Sequence, residues 1–413
     1  MSQAQPRRRL VVVGNGMAGI RAIEEILTRA RGQLDITVFG AEPHGGYNRI
    51  MLSSVLARAT PFAEIVTHDT SWYAANDIEL IAGETAVTID RAARTVHGRH
   101  GTLRAYDILL LATGSDPVLP SIPGATLPGV VAFRTIADVE AMHAACRLGG
   151  RAVVIGGGLL GLEAAHGLHR NGMEATVIHL TANLMERQLD EVSAGLLARA
   201  LQQRGITVMT AASTRAVLGA DRARGVALAD GRDVPADLVV MATGVRPSIG
   251  LAQAAGLECN RGVLVDATMR STDKQIFAIG ECAEHAGHVV GLVAPCWEMA
   301  RICAEQIAGC DTAQYAPVAV GTHLKVTGID TYSAGDFRGD ATTQTIVFRD
   351  LSRGVHKRLV LRDDKLVGLA MVGDASDTGW YFDLLRRGTD VATMRDGLAF
   401  GSAAMAPTGA TTG

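Results

Sequence analysis

The sequence predicts an α/β protein built on two doubly wound, parallel-stranded units, and three observations predict it. A short apolar strand near the N-terminus runs straight into a glycine-rich turn and a helix. The same pattern returns near residue 155, and two later apolar strands end in the same Ala-Thr-Gly triplet. In the first unit Leu10-Val11-Val12-Val13 reads as a buried parallel strand. It enters Gly14-Asn15-Gly16-Met17-Ala18-Gly19, followed by the helical pattern from Ile20 to Ala30 and a strand over 35–39. The spacing G-x-G-x-x-G between strand and helix has a chemical reason. The first glycine makes the tight turn, the second lets the backbone reach a pyrophosphate, and the third lets helix and strand touch. The helix N-terminus then offers the anion its unpaired N–H groups.

The second unit repeats this order. Ala152-Val153-Val154-Ile155 enters Gly156-Gly157-Gly158-Leu159-Leu160-Gly161-Leu162-Glu163, a helix runs to about Arg170, and a strand follows over 175–178. One such motif is a weak signal, with a chance glycine turn as its rival. Two in order imply two nucleotides held facing each other, most economically FAD at the first and NAD(P)H at the second. The near-copies at 108–114, ending Ala112-Thr113-Gly114, and at 238–244, ending Ala242-Thr243-Gly244, close the two units. Residues 275–281 form one further strand, leaving at Gly280-Glu281.

Bulk properties fit. A chain of 413 residues holds two or three domains. With 47 glycines and 4% aromatic residues it suits an α/β protein better than an aromatic-rich sandwich. A net charge of −3 gives no electrostatic case for nucleic acid or an acidic membrane. No apolar stretch approaches spanning length, and the run 10–13 is too short for a signal peptide, so the cytoplasm is expected. Arg7, Arg8 and Arg9 read as a solvated N-terminal arm. The cysteines form no Cys-x-x-Cys. Cys296, Cys303 and Cys310 are seven apart; Pro295 and Gly309 frame the first two on one helix face, and the spacing sets neighbours about 10 Å apart along a helix, too far for one metal. His166 and His169 share a helix face without further ligands, so no metal is expected.

The motifs Val13–Gly19, 39–43 (Phe-Gly-Ala-Glu-Pro), 47–53 (Tyr-Asn-Arg-Ile-Met-Leu-Ser), 184–190 (Leu-Met-Glu-Arg-Gln-Leu-Asp), 291–295 (Gly-Leu-Val-Ala-Pro) and 324–330 (Leu-Lys-Val-Thr-Gly-Ile-Asp) carry a family resemblance. From about residue 9 to about residue 400 the chain resembles the pyridine nucleotide–disulfide oxidoreductase superfamily. Within it, the resemblance is greatest to the N-terminal flavin module of the large subunit of NAD(P)H-dependent nitrite reductase. Ferredoxin and rubredoxin reductases share the layout more distantly. The resemblance implies an FAD domain in two segments, 1–117 and 247–318. It implies an inserted NAD(P) domain, 118–246, and a smaller C-terminal α/β domain, 319–400. Residues 401–413 read by composition as a flexible tail.

Carried over residue by residue, the resemblance places Gly14, Gly16, Met17, Ala18 and Gly19 at the FAD pyrophosphate. Ala112, Thr113 and Gly114 close that site. Gly280 and Glu281 lie beside the ribityl chain, and Pro295, Arg49 and Ser53 lie near the flavin. Glu42 is the candidate for the adenosine ribose, one place later than the usual acid, where this chain has Ala41. Many relatives have a lysine after Ser53; here it is Ser54. Gly156, Gly158, Leu159, Leu160, Gly161, Thr243 and Gly244 take NAD(P), with Glu163 toward the nicotinamide. Trp297 and Glu298 read equally as a lid on the rings or as ordinary packing. With Glu163 they are the only candidates for residues acting at the rings. Trp380, Tyr381, Phe382 and Asp383 form a patch that reads either as the core of the last domain, the favoured reading, or as a surface that gates the flavin or receives a partner.

Cysteine placement decides the reaction. Disulfide reductases of the superfamily carry Cys-x4-Cys early in the chain, and peroxidases carry one cysteine in the same stretch. Residues 44–59 have none, and the first cysteine is Cys146. Without a thiolate at the flavin there is no dithiol exchange. The expected function is an FAD-dependent NAD(P)H oxidoreductase that passes electrons to a separate redox protein of iron–sulfur or haem type. The cluster and sirohaem modules of nitrite reductase are not in this sequence, so the chain is expected to be the reductase component of a separate-chain system or a fragment of a longer polypeptide. A non-catalytic flavoprotein scaffold and an NADH oxidase are the alternatives. In the second unit His179 ends the strand, where an acid would hold a ribose 2′-hydroxyl and a basic group a 2′-phosphate. His179 gives neither signature, Arg187 is the nearest arginine downstream, and the lack of an arginine cluster favours NADH over NADPH.

Overall fold

The computed structural model describes residues 7–405, apart from residues 311, 312, 318 and 327. The chain divides into two compact units and passes between them repeatedly. One unit comprises Met1–Leu52, Thr60–Asp116 and Val245–Val318; the other comprises Ser53–Ala59, Pro117–Gly244 and Ala319–Gly413.

The first unit is organised by a five-stranded sheet in the order Ile276–Ala278, Ile108–Leu111, Arg8–Val13, Leu34–Gly40, Ile78–Ala82. All four pairings are parallel. The central strand is buried from Leu10 to Val13, as is the whole of Ile108–Leu111. Unbroken apolar runs are what a sheet covered on both faces requires. Helix Met17–Ala30 follows the central strand and buries Ile20, Ile23 and Ile26 on one stripe. Helix Val293–Ile307 packs beside it through Met299, Ala300 and Cys303. Between the two helices Glu25 is ion-paired with Arg21 and Arg29, and Arg29 also reaches Glu305 at 3.0 Å.

One sequence expectation changes here. The strand begins at Arg8, so Arg8 and Arg9 are not part of a solvated arm. Asp107 receives the Arg9 side chain at 2.7 Å and 3.1 Å and its backbone N–H at 2.8 Å, which compensates a charge on the sheet. The helix expected to carry Cys296 and Cys303, with Gly309 at its end, runs to Ile307. Cys296 and Cys303 are buried in it, whereas Cys310 lies beyond its end and is exposed.

The second unit contains the same architecture again. Its parallel sheet runs Val130–Ala132, Leu238–Met241, Arg151–Ile155, Glu174–Ile178, Thr207–Met209. Helix Leu159–Arg170 follows the central strand. In both sheets the central strand has its sequence successor on one side and the closing strand on the other. That reversal of strand order leaves a crevice at the strands' carboxyl ends. The unit also carries an antiparallel five-stranded sheet, in the order Gly321–His323, Thr331–Gly335, Lys365–Val372, Val355–Arg362, Gln344–Asp350. Helix Thr378–Arg387 lies against it. Tyr381 is wholly buried there and donates its hydroxyl to the Leu398 carbonyl at 2.7 Å, with Trp380 and Phe382 packed around the same core. Of residues 401–413, Ser402–Met405 form one turn of 3-10 helix and 406–413 lie outside the described residues.

A polar latch joins helix Glu191–Gln203 to the antiparallel sheet of this unit. Asp190 caps helix Glu191–Gln203 by accepting the Ser193 N–H at 2.8 Å, and its other oxygen meets Nε2 of buried His356 at 3.0 Å. Burial would raise the Asp190 carboxyl, but the hydrogen bonds from His356 and Ser193 outweigh it and hold the group at about 2. A carboxyl depressed in the folded state contributes stability above its unfolded pKa and loses it as pH falls through the folded value. Asp190→Asn is therefore expected to cost about 2 kcal/mol at neutral pH, with the difference from the parent narrowing below about pH 4. Denaturant unfolding followed from pH 7 down to pH 3 measures it.

Candidate functional site: two dinucleotide cradles

The two glycine turns are superposable in their detail. Gly14 has φ +112° and Gly156 φ +122°, a region that favours glycine. A Cβ at Gly14 would lie 2.1 Å from the Ala112 carbonyl oxygen, and one at Gly156 would lie 2.1 Å from that of Ala242. At the third glycine a Cβ on Gly19 would meet the Gly14 oxygen at 2.4 Å, and one on Gly161 the Gly156 oxygen at 1.9 Å. The middle glycines differ in kind. Gly16 and Gly158 have ordinary extended backbone, at φ −86° and −85°, and an added Cβ would meet nothing within 4 Å. They face open space at the start of each helix, and neither helix has a side-chain cap. Packing demands the outer glycines; only an incoming ligand demands the middle ones. The uncapped N–H groups and the positive helix end suit an anion.

Around the first cradle, Asn15 is held by Tyr73, whose hydroxyl donates to its Oδ1 at 2.7 Å, while its Nδ2 donates to the His44 carbonyl at 3.4 Å. Glu42 accepts from the Tyr47 hydroxyl at 2.8 Å and is ion-paired with Arg49, so these three candidates form one cluster beyond the second strand. Ala41 is exposed beside it. Thr113 donates to the Ser248 carbonyl at 2.7 Å, and Gly114 turns away at φ +70°. Gly280 sits over the first helix: a Cβ there would lie 2.9 Å from that of Ala18. Glu281 accepts the Ser115 hydroxyl at 2.5 Å. Cys282, next in sequence, is wholly buried and directs its thiol to the Ile279 and Leu111 carbonyls at 3.2 Å and 3.6 Å. Burial pushes that thiol up, away from thiolate formation. In the helix from Val293, Pro295 is buried, Glu298 is paired with Arg301 at 2.6 Å, and Trp297 is 46% exposed with Arg21 5.8 Å from its ring centroid.

Around the second cradle, Leu159 and Leu160 open the helix, with Leu160 exposed. Thr243 is exposed and donates to the Val118 carbonyl at 2.6 Å, and Gly244 has φ +110°. Glu163 is 6% exposed on the same helix and accepts the Lys325 backbone N–H at 3.0 Å. Burial raises its carboxyl, opposed by the Ser53 hydroxyl and by Lys325. Burial likewise lowers the Lys325 ammonium, opposed by Glu163. Ser54 leaves no lysine after Ser53, and the Lys325 ammonium interacts electrostatically with Glu163. His179 is buried with both ring nitrogens engaged, and Arg187 is exposed. Sequence reasoning gave no role to Lys325, Ser115 or Tyr73. Each meets its partner across 58 to 166 residues, a separation that no local pattern reports.

Two such cradles in one chain define a protein of the class built on paired dinucleotide-binding folds. Residues 8–315 match the family described as pyridine nucleotide-disulphide oxidoreductase, and residues 321–389 match the rubredoxin NAD+ reductase C-terminal domain. The chain belongs to the pyridine nucleotide-disulphide oxidoreductase family, which binds FAD and NAD(P)H. It is 44% identical over 94% of its length to a Bacillus subtilis protein named nitrite reductase [NAD(P)H], covering 48% of that protein. It is 43% identical, again over 94%, to the assimilatory nitrate reductase electron transfer subunit of the same organism, covering 50% of it. The chain thus spans about half the length of these curated relatives. The ferredoxin reductase for the CYP199A2 system from Rhodopseudomonas palustris superposes with a TM-score of 0.83 at 27% identity, over 91% of this chain and 93% of that one. Among the described residues no helix is long and apolar enough to cross a membrane.

The middle and outer glycines separate binding from folding. Gly158→Ala is expected to leave the melting temperature of the protein unchanged while weakening NAD(P)H about tenfold or more, measured by calorimetric titration. Gly161→Ala, whose methyl group strikes backbone, is expected to destabilise the fold by more than about 2 kcal/mol.

Proposed function

We propose that this chain is an FAD-dependent NAD(P)H oxidoreductase that passes electrons to a separate electron-acceptor protein of iron–sulfur or haem type. The observation that carries the reading is the pair of matched cradles, each with a middle glycine open to a ligand. The chemistry supplied by bound FAD is acceptance of a hydride from reduced nicotinamide and release of electrons singly.

The chain's own residues bind and position. The N-terminal N–H groups of helix Met17–Ala30 take the FAD pyrophosphate, with Gly14, Gly16 and Gly19 shaping the turn. Glu42, fixed by Tyr47 and Arg49, serves the adenosine end, and Gly280 and Glu281, with Ser115, line the other flank. The N-terminus of helix Leu159–Arg170 takes the nicotinamide dinucleotide. Buried Glu163, held with Ser53 and Lys325, orients groups at the nicotinamide side. All six cysteines are free, and Cys282, nearest in sequence to the Gly280-Glu281 exit, faces backbone carbonyls in the core. That favours direct electron release over dithiol exchange. The names of the relatives, an electron transfer subunit and a ferredoxin reductase, support a protein acceptor.

The test is anaerobic rapid mixing of the FAD-loaded protein with NADH, then with an iron–sulfur or haem acceptor. Bleaching of the flavin absorbance at about 10 per second or faster, followed by reduction of the acceptor, is expected. A protein that binds no FAD, or a flavin that stays oxidised with both NADH and NADPH, would overturn the reading.

A further inference from the structure

The strand-end residue of the second cradle is turned away from the position where it could read a ribose. His179 lies against the glycine turn, and its Nδ1 accepts the Gly157 N–H at 3.0 Å. Only a glycine admits the ring this closely, because a Cβ at Gly157 would sit 2.8 Å from His179 Cγ and 2.5 Å from Leu184. A nitrogen that accepts carries no proton, so this geometry puts the ring proton on Nε2. That N–H faces Thr181 Oγ at 2.9 Å and, at 3.0 Å each, the Asn183 carbonyl and Glu186 Oε2. His179 is therefore spent on tying the turn to the segment that follows its strand.

That segment is fixed from both sides. The Met185 N–H donates to the Gly157 carbonyl at 3.0 Å, and Arg338 donates to the Glu186 carbonyl. Met185 is buried with φ +50°, a left-handed conformation that a non-glycine residue keeps only when its surroundings enforce it. The result is a carboxylate anchored through Oε2 beside the phosphate-binding turn. Its Oε1 has no protein donor among the described residues, and its side chain is 39% exposed. In a nucleotide-binding βαβ unit an acid at this end of the second strand accepts from the ribose hydroxyls and repels a 2′-phosphate.

We infer that Glu186, positioned by His179, reads the adenosine ribose in the second cradle and selects the nucleotide with a free 2′-hydroxyl, NADH over NADPH. The inference rests on the proposed nicotinamide dinucleotide site. Glu186 supplies from seven residues downstream what the strand-end position, occupied by a histidine, does not supply. The neighbouring Arg187 is exposed and is the competing cation that a 2′-phosphate would need.

The test uses calorimetric titration of the FAD-loaded protein with ADP-ribose and with 2′-phospho-ADP-ribose, fragments that carry no nicotinamide and undergo no turnover. The parent protein is expected to bind ADP-ribose about tenfold or more tightly than its 2′-phosphate. Glu186→Gln, an isosteric change, is expected to weaken ADP-ribose about tenfold and bring the ratio near unity. Glu186→Ser should do the same without the shape of the parent side chain. A parent preference for the 2′-phosphate, or equal weakening of both ligands in the two variants, overturns the assignment while leaving the nucleotide site intact. A parent protein that binds neither fragment overturns the site and the assignment together.

Discussion

A backbone carbonyl at the end of each closing strand limits how near the glycine turn can come, and both cradles are built against that limit. The oxygens of Ala112 and Ala242 occupy the place where Gly14 and Gly156 would carry a Cβ. The turn therefore presses directly on the neighbouring strand, and the helix that follows starts low over the sheet. Gly19 and Gly161 extend the contact by bringing the helix onto the turn itself. Only after these close approaches are satisfied does the middle glycine face empty space at a helix N-terminus. The open space at each helix start thus follows from close packing on either side of it.

The polar groups near the cradles are arranged to keep that space charged in the right sense. Each helix start keeps its N–H groups free of side-chain caps. Acids nearby are committed to protein partners: Glu42 to Tyr47 and Arg49, Glu281 to Ser115, Glu163 to Lys325. Burial of Glu163 and Lys325 together disfavours the charged form of each, so their proximity offsets a cost that either would bear alone. The thiol of Cys282 follows the same logic with an opposite outcome. It finds backbone acceptors inside the core and is kept from reactivity.

What could be read from the sequence was whatever a few consecutive residues encode. Six residues spell each cradle, because strand, turn and helix follow one another without interruption. The Ala-Thr-Gly exits were legible because the closing strands are apolar to their ends. Positions set by distant partners were not. Arg8 and Arg9 look like a solvated arm until Asp107 is known to lie opposite. The end of the helix that carries Cys296 and Cys303 was legible, by contrast, because Gly309, at φ +86°, stops it locally. His179 stands at the strand end where a ribose reader is expected but carries neither the acidic nor the basic signature. Its orientation depends on Gly157, whose lack of a side chain draws the ring inward. Lys325 sits in a motif that could be recognised, but nothing local tied it to a glutamate 162 residues earlier.

The path of the chain has a consequence for how such a molecule emerges from the ribosome. The stretch Ser53–Ala59 interrupts the first unit and belongs to the second, where the Leu56 carbonyl accepts from Asn171 at 2.7 Å and meets a His143 ring nitrogen at 3.0 Å. The edge strand Ile276–Ala278, which pairs with Ile108–Leu111, is translated only after the whole of Pro117–Gly244. Neither unit can close in simple order of synthesis. An N-terminal nascent fragment exposes an unpaired sheet edge until its missing strand arrives, and such edges invite aggregation.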